Sequence, residues 1–86
     1  MGESKQDRLK RLKMRSWRRG IKEMDLILGP FSDTELMALS EAQLTLYDAM
    51  LSENDHDLYQ WVTGRVETPP EYLELLKIIS KFAFKS

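Results

Sequence analysis

Eighty-six residues, 42% of them hydrophobic and 31% charged, suffice for one small soluble core and leave little room for a deep catalytic cleft. The absence of cysteine excludes a disulfide framework and thiolate chemistry, and no apolar run approaches the roughly 20 residues that span a bilayer. The net charge of −1 conceals a split: residues 1–22 hold nine Lys or Arg against two acids, and residues 23–86 hold four against twelve.

Such a split implies a basic arm that either meets an acidic partner or packs on its own acidic body. The arm lacks the apolar stretch of a secretory signal, and Glu3 and Asp7 argue against a transit peptide. The organisation expected is a single domain over 1–86, with a flexible N-terminus over 1–7 and a helical bundle over 8–83.

In chain order, residues 5–18 read as a helix of good helix formers with a loose apolar stripe of Leu9, Leu12 and Trp17. A second helix is predicted over 20–30, because Trp17, Ile21, Met24, Leu28 and Phe31 recur at helical spacing. On that helix Arg19, Glu23 and Leu26 fall on the opposite, outward side. Gly29-Pro30 is expected to end or kink it.

Ser32-Asp33-Thr34-Glu35 and Ser40-Glu41-Ala42-Gln43 both have the form of a capping box. The first opens a short helix carrying Leu36, Met37 and Leu39. The second opens a helix to about Ser52 with Leu44, Tyr47, Met50 and Leu51 inward. Asn54 or Asp55 caps a brief helix holding Leu58, Trp61 and Val62, which Gly64 stops. Thr68-Pro69-Pro70-Glu71 starts the last helix, whose apolar face is Tyr72, Leu75, Leu76, Ile79, Phe82 and Ala83. No alternating run marks a strand. The fold class predicted is all-α, a compact bundle of about five short helices.

Catalysis finds little support. The single histidine, His56, sits in a polar turn between Asp55 and Asp57, and a metal site needs three or four convergent ligands. No phosphate loop, zinc motif or nucleophile elbow is present. The expected catalytic and metal residues are therefore none. The basic arm with Trp17 suits phosphate contacts, so a small nucleic-acid-binding protein using its N-terminal helix is the alternative. Residues 5–19 lack the apolar face of a membrane-inserting helix. What stands out is Arg19-Gly20-Ile21-Lys22-Glu23. A glycine in or beside a helix costs about 1 kcal/mol against alanine, so Gly20 needs a cause. Helix-junction packing and docking of a partner explain it equally well.

At these residues the sequence resembles the SdhE/YgfY-like family of succinate dehydrogenase assembly factors. Arg19-Gly20-x-x-Glu23 followed by Pro30-Phe31 matches the family signature, as do Leu39 to Leu44 with Tyr47-Asp48. Asp55-His56-Asp57-Leu58-Tyr59-Gln60-Trp61 matches its D-x-D-L-x-x-W segment, with His56 standing where the family often has proline, and Pro69 to Phe82 matches its last helix.

The resemblance implies a five-helix bundle that promotes covalent FAD attachment to the flavoprotein subunit of succinate dehydrogenase, and of fumarate reductase in bacteria. It implies a non-enzymatic monomer that holds no cofactor of its own. Its place would be the bacterial cytoplasm, or the mitochondrial matrix in a eukaryote, with no nucleic-acid partner and no membrane insertion. The partner-contact role is carried from the family onto Arg19, Gly20 and Glu23. Helix geometry adds Arg15, Arg18, Ile21, Lys22 and Leu26 as neighbours.

Overall fold

Most helices in this chain start where a short polar side chain takes an orphan backbone N–H. Ser4 Oγ accepts from the Asp7 amide at 3.1 Å, and Asn54 Oδ1 accepts from the His56 amide at 2.8 Å. Ser40 and Gln43 form a full capping box, with the Gln43 amide on Ser40 Oγ at 3.2 Å and the Ser40 amide on Gln43 Oε1 at 2.8 Å. The computed structural model describes residues 2–84. They form five α-helices: α1 (Lys5–Ser16), α2 (Lys22–Thr34), α3 (Glu41–Met50), α4 (Asp55–Val62) and α5 (Leu73–Ala83). Single 3-10 turns, Leu36–Ala38 and Pro70–Tyr72, precede α3 and α5. No strand occurs among the described residues, so the all-α expectation holds.

The core is built from one stripe of each helix. Leu12, Met24, Leu28, Phe31, Leu44, Tyr47, Met50, Leu58, Leu75 and Ile79 are all essentially inaccessible. Phe31 stacks on Tyr47 with ring centroids 5.9 Å apart and meets Phe82 edge-on at 5.5 Å. The Tyr47 hydroxyl lies 2.6 Å from Ser16 Oγ, which itself donates to the Leu12 carbonyl at 2.8 Å. Burial pushes Tyr47 up to about 12, so at neutral pH the phenol keeps its proton and donates to Ser16. Among the described residues no buried side-chain polar atom lacks a partner.

Several local expectations are corrected. The second helix begins at Lys22, not Gly20, because Arg18 has φ +60° and Ile21 is extended, which breaks the helix after Ser16. Trp17 is consequently outside the core stripe, 38% exposed and lying over Gly29. Pro30 does not end α2, which runs to Thr34. Proline removes one bond, to the Leu26 carbonyl, and Leu26 is exposed, so water can serve that carbonyl. Burial of Phe31 and Ser32 draws the helix onward.

Ser32 therefore caps nothing. It is inside α2, its Oγ donating to the Gly29 carbonyl at 2.7 Å, and the predicted short helix shrinks to the 3-10 turn with Met37 exposed. Thr68 does not cap the last helix either: the turn before it starts at Pro70, Pro69 stands in the cap position, and no side chain caps it. Gly64, at φ +80°, sits just past α4 as predicted.

Candidate docking site

The basic arm folds onto its own acidic body. Arg8 donates to Glu41 at 3.2 Å and to Thr45 at 2.7 Å. Arg11 reaches Asp48 at 2.8 Å and Glu3 at 2.7 Å. Arg15 donates to Asp48 Oδ1, which it shares with Arg11, and to Ser52 Oγ at 3.1 Å. Arg19, in the loop after α1, takes Asp55 at 2.8 Å. Arginines at positions 8, 11, 15 and 19 thus face polar partners at 41, 45, 48, 52 and 55. Both sets step by three and four residues. That matched spacing is the signal in the sequence that reading each helix alone overlooks.

Asp48 takes most of the charge. Its hydrogen bond from Arg11, with the fields of Arg11, Arg15 and Arg8, holds its carboxyl below the ordinary 3.8. A depressed folded pKa contributes stability above the unfolded value and loses it as pH falls toward the folded one. Asp48→Asn is therefore expected to lower stability at pH 7 by about 1 kcal/mol, allowing for partial solvent screening. The gap from wild type should narrow below about pH 4 and close in stronger acid, read from urea melts across pH.

The loop between α1 and α2 carries the family-like signature, and two carboxylates fix it. Asp25 accepts the Arg19 backbone N–H from the first turn of α2. Asp55, the first residue of α4, accepts the Arg19 side chain through Oδ1 and the Gly20 amide through Oδ2 at 2.5 Å. The Arg19 guanidinium also donates to the Arg15 carbonyl at 2.9 Å and to the Leu51 carbonyl at 2.8 Å. With its side chain only 10% exposed, Arg19 does not belong to the outward face where helical arithmetic put it. That arithmetic assumed a helix through residues 17–21, and there is none.

Besides Trp17, the exposed residues around the loop are Arg18, Gly20, Lys22, Glu23 and Leu26. Arg15 is tied to Asp48, and Ile21 packs against the core edge. Gly20 has its cause: a Cβ there would lie 2.7 Å from Asp55 Oδ2. The requirement is close approach by a side chain across the fold. Among the described residues no group of three or more His, Asp or Glu side chains is placed to hold a metal, and no helix is long and apolar enough to cross a membrane.

Comparison with known proteins agrees with the resemblance. A family model described as flavinator of succinate dehydrogenase matches residues 10–83. A mitochondrial succinate dehydrogenase assembly factor 2 from Meyerozyma guilliermondii is 38% identical over 87 residues, covering 95% of this chain and 64% of that protein. The FAD assembly factor SdhE of Legionella pneumophila strain Lens is 42% identical over 62 residues, covering 72% of this chain and 78% of that protein. A Dictyostelium discoideum assembly factor 2 is 37% identical over 71 residues, and the match spans 50% of its length. The relatives thus include mitochondrial and bacterial proteins, and this chain spans less than two thirds of the two mitochondrial ones. The nucleic-acid reading gains nothing from these matches, and the arginines that were to serve it are turned onto Glu41, Asp48 and Asp55.

Proposed function

The chain belongs to the family of succinate dehydrogenase flavinators, and from that premise we propose that it is a non-catalytic assembly factor for a succinate dehydrogenase flavoprotein subunit. It promotes covalent attachment of FAD by binding the flavoprotein in an attachment-ready conformation. Such a factor shifts a population: it favours the competent state by as much as it binds that state better than the others. The flavoprotein supplies the histidine and the polarised flavin, and this chain holds no FAD of its own. The flavoprotein of fumarate reductase is a second client. The factor works as a monomer, in the cytoplasm of a bacterium or the matrix of a mitochondrion.

The observation that carries this reading is the loop after α1, where an exposed cluster of Arg18, Gly20, Lys22, Glu23 and Leu26 stands on a partly buried clamp. A mixed-charge rim, a bare stretch of backbone and one aliphatic side chain suit a protein partner. Arg15, Arg19 and Ile21 support that cluster from beneath. Deleting the gene and reading flavin fluorescence of the denatured flavoprotein in a gel tests the role, and unchanged covalent flavin would refute it. Glu23→Ala should weaken capture of the flavoprotein by about tenfold while its melting stays within about 0.5 kcal/mol of wild type. Unchanged capture would remove Glu23 from the contact.

A further inference from the structure

We infer that Asp55 is a positioning residue for the docking loop, and that Gly20 must be glycine because Asp55 occupies the space of its side chain. The inference rests on the docking role proposed for this loop. It assigns work to a residue more than thirty positions away and to a signature segment that the docking reading leaves unused.

The geometry is bidentate and asymmetric. One oxygen of Asp55 holds the Arg19 guanidinium at 2.8 Å, and the other holds the Gly20 amide at 2.5 Å. One carboxylate therefore fixes both a side chain and the adjacent backbone, which sets the path of the chain into α2. The position suits a carboxylate, being the first turn of α4, where helix N–H groups stabilise negative charge. The pair is little hydrated, with side chains 10% and 14% exposed, so solvent competes weakly for either oxygen.

On the opposite side of the loop, Asp25 holds the Arg19 amide. Two successive amides are thus pinned by two carboxylates from two helices. Arg18, immediately before them, is held at φ +60°, a conformation that non-glycine residues seldom adopt unaided. Arg19 therefore serves the contact from inside, by anchoring the loop, and the exposed residues on either side of it meet the partner.

Gly20 follows from the same contact. An alanine Cβ at 2.7 Å from Oδ2 is closer than a carbon and a carboxylate oxygen can stand, so the carboxylate must leave the amide or the loop must move. The glycine requirement is then conditional: with Asp55 shortened, nothing else stands near that Cβ, since the three closest atoms all belong to Asp55. A residue conserving docking by its own bare backbone would show no such condition.

The test is a cycle of Gly20→Ala, Asp55→Ala and the double variant, with binding to the purified flavoprotein subunit of succinate dehydrogenase measured at a temperature where circular dichroism shows every variant folded. If the loop keeps its docked path in only about a tenth of the molecules, affinity falls about tenfold. Gly20→Ala and Asp55→Ala should each show a loss of that order, and Gly20→Ala should add nothing once Asp55 is alanine. Equal losses from Gly20→Ala in both backgrounds would overturn the inference, and so would wild-type binding by Asp55→Ala. Asp55→Asn, which keeps one acceptor and loses the charge, should fall between and serves where Asp55→Ala folds poorly.

A partner-free measurement separates this inference from the docking role itself. The Gly20 amide should be protected from hydrogen exchange in wild type and lose that protection in Asp55→Ala or Asp55→Asn. Equal exchange in wild type and variant defeats the clamp whatever the partner does. Protection lost as expected, with flavoprotein binding absent even in wild type, would instead sustain the clamp and defeat the docking role.

Discussion

Phe31→Ala is expected to cost about 3–5 kcal/mol, the usual toll of emptying a fully buried aromatic site. Phe31 has no exposed surface and touches ring systems on two other helices, Tyr47 of α3 and Phe82 of α5. The cavity cannot collapse easily, because α2 is held on both sides, by α1 through the loop clamp and by α5 through the apolar stripe. A domain of this length holds roughly 4–13 kcal/mol in total, at about 0.05–0.15 kcal/mol per residue. The melting temperature should therefore drop by roughly 12–40 °C, at about 4–8 °C for each kcal/mol in a chain this small. Thermal circular dichroism reads it. Phe84→Ala is the control: Phe84 is 55% exposed beyond the end of α5, and its loss should change stability by less than about 0.5 kcal/mol. A Phe31→Ala variant that melts near wild type would show that the α2–α5 contact does not organise the core.

The burial of Phe31 was legible in the sequence. Met24, Leu28, Phe31, Leu75, Leu76 and Ile79 follow helical spacing, and each is buried. The loop was not legible, for a reason those same spacings conceal. Trp17 and Ile21 extend the stripe of α2 backwards at the right intervals, so periodicity alone carries a helix through residues that Arg18 at φ +60° excludes. The period cannot register a single left-handed residue, because that conformation is imposed from outside, by Asp25 and Asp55 taking the next two amides. Pro30 misled in the opposite direction: the local rule against proline in a helix was overridden by burial on either side of it. Gly20 was marked by its type as needing a cause, and the cause lies on another helix, where no local pattern could find it.

Arg19→Ala is expected to destabilise the fold by about 3 kcal/mol, the lower end of the cost of stripping one partner from a buried ion pair, since Arg19 and Asp55 keep 10% and 14% of their side chains exposed. The side chain closes three helix ends at once. It donates to the Arg15 carbonyl in the last turn of α1, to the Leu51 carbonyl just past α3, and to Asp55 in the first turn of α4. Each contact also has the favourable polarity, a cation at two C-termini and its counter-ion at an N-terminus. Alanine would leave two carbonyls unserved and a carboxylate, 14% exposed, with the Gly20 amide as its remaining donor in this cluster. Arg19→Lys should recover only part of the loss. An ammonium keeps the charge beside Asp55 but lacks the planar fork that reaches three acceptors. In Asp55→Ala the cost of Arg19→Ala should shrink by more than about 1 kcal/mol, because no partly buried carboxylate is then abandoned. Urea unfolding of the four proteins gives that coupling. Additive losses would mean that Arg19 acts through the two carbonyls alone. A coupled loss would join the arginine of the signature to the aspartate of α4 as one structural unit beneath the loop proposed to dock.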